Sequence, residues 1–200
     1  MWRVVALLGT LFLMLAAEPR AGADDVDPAE AQVQTLHAAL LKTMKAAPSV
    51  SMSERYRNLE PVIEQVYALP LMLRYSIGPD WLKFSAEQQQ ALIAAFTRYT
   101  IANYLNNFHG FAGERFEVDG VTSRGEEKIV RTRLVPVHDT PVPLLYRMRE
   151  IDGRWKIVDV IAEGVSSLAI RRSDFAAALA AGGVPMLIQH LDKVSADLMK

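Results

Sequence analysis

The chain predicts an α+β domain in which helices are segregated onto a curved antiparallel sheet. Three observations carry this expectation. Apolar residues recur at helical spacing as far as about Phe108, alternation with a period of two runs through four successive segments from Gly113, and helical spacing returns after Gly164. Helices, then a run of strands, then helices is the α+β order, not the alternating α/β one. A curved sheet closed by helices forms a cone, and such a cone can hold a ligand.

Composition narrows the class. The chain has 200 residues, 50% hydrophobic and 22% charged, as expected for one globular domain. Twenty-two basic against 23 acidic residues leave a net charge of -1, so nucleic-acid binding is set aside for want of an electrostatic footprint. Trp2-Arg3, the apolar run Val4 to Ala17 and the small-x-small site Ala21-Gly22-Ala23 read as a signal peptide over 1–23, cleaved near Ala23. That apolar run is short for a membrane span. A single domain over 24–200 would remain, helical over 27–109, a sheet over 113–161, and C-terminal helices over 165–199. Cysteine is absent, so neither a disulfide nor a cysteine lipid anchor is available, and the apolar core alone must stabilise the fold.

The first helix opens at Asp27-Pro28-Ala29-Glu30, with Asp27 as cap and Pro28 at the first helical position, where its missing N–H costs nothing. Val33, Leu36, Leu40, Leu41 and Met44 form its stripe as far as about Ala47, and His37 lies beside the stripe as a buried or edge histidine. A second helix is expected from Ser53 to Leu69, kinked or broken at Pro61. A short third piece starts at Pro70 and ends at Gly78-Pro79. Ser85-Ala86-Glu87-Gln88 is a capping box before the longest helix, Ala86 to about Phe108. Leu92, Phe96 and Tyr99 form one stripe on it while Ile101, Leu105 and Phe108 lie nearly opposite, so it is either sandwiched between layers or lines a cavity.

Four antiparallel strands follow: Arg115 to Val121, Lys128 to Val137, Leu144 to Glu150 and Trp155 to Val160. In the third, Leu144, Tyr146 and Met148 point one way and Leu145, Arg147 and Arg149 the other. Ile151-Asp152-Gly153-Arg154 is a hairpin turn, since Asp-Gly accepts the positive φ such turns need. Trp155, Ile157 and Asp159 then share a face by simple alternation. Gly164 releases the chain into a helix over Val165 to Ala181, with Ser166 and Ser167 as caps and Ser173 as cap of a second segment; Gly182-Gly183 ends it before a terminal helix, Val184 to Met199.

No catalytic constellation is legible. His37, His109, His138 and His190 fall on separate elements without metal-ligand spacing, and no metal or other cofactor is expected. Gly164-Val165-Ser166-Ser167-Leu168 lacks the second glycine of a nucleophile elbow. Asp159 would serve as a general base only with a second acid or histidine placed to complete the roles, and an acid at a strand end more often caps a helix or pairs with an arginine. Arg147, Arg149, Arg171 and Arg172 form a basic cluster that reads either as a solvated face or as a docking surface for an acidic partner or anionic headgroups.

Tyr146-Arg147-Met148-Arg149, Gly153 to Val160, Gly164-Val165-Ser166 and Arg172-Ser173-Asp174-Phe175 resemble the C-terminal signature of the toluene-tolerance, or MlaC-type, family of periplasmic phospholipid-binding proteins. Trp81 followed by Ser85-Ala86-Glu87-Gln88-Gln89 is similar to that family's pattern before its long helix. Where the phospholipid carriers tend to have Asn-Tyr ahead of the arginine, this chain has Ile170-Arg171, and Leu168 to Arg172 looks more like the hopanoid-biosynthesis-associated HpnM branch. Asn103 to Phe108 with Gly113-Glu114-Arg115-Phe116 points the same way.

The resemblance implies a nuclear-transport-factor-2-like sheet plus a helical part, with acyl chains inserted between them and the headgroup near solvent. It implies a periplasmic carrier that shuttles a phospholipid or hopanoid between membrane-bound transport complexes and performs no covalent chemistry. The lining expected for it comprises Leu71, Met72, Tyr75 and Trp81 from the short helical piece and its exit, and Phe96, Tyr99 and Tyr104 from the long helix. The sheet adds Phe116, Val130, Tyr146, Met148, Trp155 and Ile157, and Val165 follows it. Two rivals remain at this point: an isomerase or hydratase of the same fold using Asp159 or Tyr146, and a protein-only adaptor with a solid core.

Overall fold

The computed structural model describes residues 26–200, and the signal-peptide reading of 1–23 lies outside them. Helix α1 (Pro28–Ala46) starts where the Asp27 carboxylate accepts the Ala29 N–H at 2.8 Å, and Val33, Leu36 and Leu40 are sealed from solvent on its inner stripe. Helix α2 (Met52–Val66) starts at Ser51, whose hydroxyl accepts the Glu54 N–H. It runs on through Pro61, where the sequence predicts a kink or break. One lost hydrogen bond is outweighed there by the packing of Leu59 and Ile63, both buried on either side of the proline.

Helix α3 (Leu69–Ile77) passes into a 3-10 turn, Gly78–Lys83, that buries Trp81 edge-on to Phe84. Helix α4 (Ala86–Asn107) begins with the expected capping box, Ser85 and Gln88 each holding the other's backbone N–H. Both of its apolar stripes are used. Leu92, Phe96, Ile101 and Leu105 are all inaccessible to solvent.

Among the described residues the sheet has five strands in sequence order, all antiparallel: β1 (Arg115–Arg124), β2 (Glu127–Val135), β3 (Val142–Ile151), β4 (Arg154–Ala162) and β5 (Val165–Ser166). Four are those the alternation predicts. The fifth, two residues long, occupies what reads as the start of a helix; the bend at Glu163-Gly164, both at positive φ, folds Val165 back onto Ala162 before the helix can begin. At the β3–β4 turn Asp152 and Gly153 have φ of 50° and 72°, the pattern of a type I′ hairpin.

Simple alternation fails in β4. Arg147 pairs with Asp159 and Met148 with Ile157, so Val158 is an extra, bulged residue. The bulge puts Asp159 opposite Arg147, on the other face from Trp155 and Ile157, and returns Val160 and Ala162 to the face of Tyr146 and Leu144.

Helix α5 (Ser167–Leu198) is capped by Ser166, whose hydroxyl accepts the Ala169 N–H, while Ser173 lies inside the helix and caps nothing. It bends at Gly182-Gly183, where Gly183 sits at φ 66°, so the two predicted terminal helices meet there without a loop. Several contacts hold these elements together. His37 of α1 stacks on Phe116 of β1, with centroids 4.0 Å apart; Phe96 of α4 meets Phe175 of α5 edge-on; and the Ala68 N–H donates to the Ile157 carbonyl at 2.9 Å. That last bond pins the α2–α3 junction to β4 as a one-residue parallel bridge, Tyr67 to Ile157.

Candidate functional site

Between these joints the layers part. A cavity of about 590 Å³ lies between the sheet and the helices. Its sheet wall is built from three cross-strand pairs, Leu134 with Val142, Leu144 with Ala162 and Tyr146 with Val160, and Val160 and Ala162 face inward only because of the Val158 bulge. Opposite them, Thr100, Tyr104 and Phe108 succeed one another at intervals of four along α4 and so share one face of that helix. Tyr67 and Met72 close one side, and Arg171 of α5 another. Val165 and Ile170, 53% and 55% exposed, stand at the solvent edge.

The three tyrosine hydroxyls inside are all paired. The hydroxyls of Tyr67 and Tyr104 are hydrogen-bonded together, and Tyr146 Oη lies 3.0 Å from His37 Nε2. Burial pushes the Tyr67, Tyr104 and Tyr146 phenols up, with the nearby Arg171 charge offsetting part of that for the first two, so all three stay protonated. Burial pushes the His37 imidazole down to about 4, so it is neutral near pH 7. The charged residues lining the cavity are Glu163, exposed at the edge, and Arg171, 9% exposed.

Asp159 is placed for structure. Although only 2% exposed, its carboxylate accepts from Ser166 Oγ at 2.6 Å, Ser167 Oγ at 3.0 Å and the Leu168 N–H at 3.2 Å, with Arg147 Nη1 at 3.9 Å. It therefore clamps the start of α5 onto β4. Among the described residues no three His, Cys, Asp or Glu side chains gather as a metal site would require, and no helix is long and apolar enough to cross a membrane.

Of the expected lining residues, Met72, Tyr104, Tyr146 and Val165 are at the cavity. Leu71 lines a separate groove of about 400 Å³ with Ile93 and Lys156, on the far side of Tyr67. The others pack elsewhere. Phe96, Val130, Met148 and Ile157 are wholly buried core, Tyr99 stacks on Phe96, and Phe116 stacks on His37. Trp81 packs on Phe84, Trp155 lies under Lys128 Nζ, and the Tyr75 hydroxyl accepts from Arg149. Large apolar side chains are interior residues first, and a run of them does not say which ones border a void.

The four arginines do not form one surface. Arg147 and Arg149 stand beside Glu126 and Glu127, Arg172 donates to the Tyr75 carbonyl at 3.0 Å, and Arg171 turns into the cavity. Helical spacing explains the separation, since neighbours on α5 point about 100° apart. Residues that sequence reasoning missed include Tyr67, Thr100, Asn103, Asn107, Leu144, Val160 and Ala162. The spacing of Thr100, Tyr104 and Phe108 was a usable signal, whereas Val160 and Ala162 needed the bulge.

A curved antiparallel sheet roofed by helices, with a largely apolar hollow between them, defines a small-molecule-binding α+β domain. A family model, the MlaC protein, matches residues 32–193, and the chain belongs to the MlaC family. The fold is also that of a phospholipid-binding protein from Ralstonia solanacearum, solved in complex with a phospholipid. The two share 23% identity over 87% of this chain and 100% of that one, with a TM-score of 0.73.

Proposed function

We propose that this chain is a periplasmic carrier that holds the apolar part of a phospholipid or hopanoid in the 590 Å³ cavity and moves it between membrane-bound transport complexes, without covalent chemistry. Membership of the MlaC family supports the class, and the phospholipid in the Ralstonia protein supports the kind of ligand. The observation that carries the reading is the hollow itself. Its walls are mostly apolar, its tyrosine hydroxyls are hydrogen-bonded within the protein, and it reaches solvent beside Val165 and Ile170. Such a space suits hydrocarbon and offers water few partners. Ten buried methylenes would contribute about 8 kcal/mol, the order needed to draw a chain from a bilayer. Partner docking falls to Arg149 and Arg172, which meet at Tyr75 on the outside.

Organic extraction of the purified, exported protein followed by mass spectrometry tests this directly. Stoichiometric phospholipid or hopanoid is the expected result, and its identity decides between the two. Protein that emerges free of lipid and takes up none from vesicles would favour a protein-only adaptor.

A further inference from the structure

Arg171 is a buried charge without a counter-charge among the described residues. The ion pairs of the described residues engage Arg98, Arg115, Arg133, Arg147 and Arg149, and no carboxylate there comes within 4.0 Å of Arg171. Among the described residues its one side-chain hydrogen bond runs from Nη1 to Ser167 Oγ at 3.1 Å, and its guanidinium carbon stands 5.3 Å from the Phe96 ring centroid. A guanidinium carries five donors and stays charged at any physiological pH. Nε and Nη2 have no partner among the described residues, yet neither is sealed off as Nε and Nη1 of Arg55 are. On a residue 9% exposed that lines the cavity, those donors open into the hollow.

Leaving a charge desolvated and unpaired is strongly unfavourable, and the Phe96 face offsets only part of that. The missing partner is supplied most simply by a ligand. Asn103 and Asn107 line the same cavity and the Tyr67–Tyr104 pair keeps one O–H free, so these can add polar contacts, whereas Glu163 is at the edge in solvent. The α5 dipole adds little, because Asp159 already neutralises that helix start.

We propose that Arg171 is the anion receptor of the cavity: the ligand is an amphiphile whose oxyanion, a phosphodiester or a carboxylate, sits against the guanidinium while its chain fills the apolar remainder. This rests on the carrier reading and narrows it to charged lipid, with uncharged lipid disfavoured. A planar fork of donors matches two oxygens of either group at once.

The test uses delipidated full-length mature protein and four probes, palmitate against methyl palmitate and dipalmitoylphosphatidylglycerol against dipalmitoylglycerol. Wild type should hold the charged member of at least one pair about tenfold more tightly or better, the pair affected telling carboxylate from phosphate. R171M should abolish that preference by weakening the charged probe alone, R171K should restore part of it, and R171M should melt no lower than wild type. Equal binding within both pairs, or a preference that survives R171M, would overturn the anion receptor while leaving a lipid carrier standing. Failure of all four probes to bind would overturn both.

Discussion

Nε2 of His37, on the first helix, lies 3.0 Å from the hydroxyl of Tyr146, in the middle of the third strand. The contact spans 109 residues of chain and sets the helix against the sheet beside the cavity. Both groups are almost inaccessible to solvent, and the histidine is held neutral by its burial.

Acid should therefore weaken the fold through His37. The folded imidazole takes up its proton near pH 4 and the unfolded one near 6.5, so between those values the unfolded chain binds more protons. The stabilisation is complete above pH 6.5, falls as pH drops through the window, and amounts to about 3 kcal/mol in all. Urea midpoints at pH 7 and 4.5 should differ clearly in wild type and much less in H37Q. An equal pH slope in the two would show that the imidazole is not the source. Asp197, held near 2 by Lys193 and Lys200, titrates below this window.

Removing the Asp159 carboxylate should loosen the start of α5. D159A leaves the Ser166 and Ser167 hydroxyls and the Leu168 N–H without their acceptor and should cost about 2 to 3 kcal/mol. D159N should keep bound lipid at the wild-type level. Loss of a measurable turnover in D159N, with lipid retained, would instead make Asp159 a catalytic base.

The Tyr67–Tyr104 pair should behave as a unit. Y104F leaves the Tyr67 hydroxyl, 2% exposed, without its partner and should cost about 1 to 2 kcal/mol. The double variant Y67F/Y104F should cost less than the two single changes together, since no buried hydroxyl then lacks a bond. Strict additivity in chemical denaturation would mean that the two hydroxyls do not depend on each other.

Filling the hollow should abolish lipid uptake. A162W puts an indole into the sheet wall of the cavity, whereas L71W adds one to the separate groove beyond Tyr67. Uptake from labelled vesicles should fall about tenfold or more in A162W, a loss of about 1.4 kcal/mol, and stay near wild type in L71W. The reverse order would move the lipid site to the groove.

Much of this was legible in sequence because local rules were obeyed. Asp27, Ser85 with Gln88, and Asp152-Gly153 start or turn their elements where short-range hydrogen bonding and backbone freedom put them. The wide apolar arc of α4 left a sandwiched helix and a cavity-lining one both open, and the helix does both: Leu92, Phe96, Ile101 and Leu105 are buried while Thr100 and Tyr104 line the hollow. The cavity lining was read poorly, since a buried Phe96 and a cavity-facing Phe108 are equally apolar and only the distance to the next layer separates them.

Alternation and helical periodicity, with their caps and turns, determined the order of the elements, because each is set by residues within a few positions of one another. Three things were decided only when the layers met. The Val158 bulge moved Asp159 to the face of Arg147, the Ala68–Ile157 bond fixed where the helices touch the sheet, and the course of α5 carried Arg171 inward and Arg172 outward. Each depends on contacts between segments far apart in the chain, and a void exists only where such segments fail to touch.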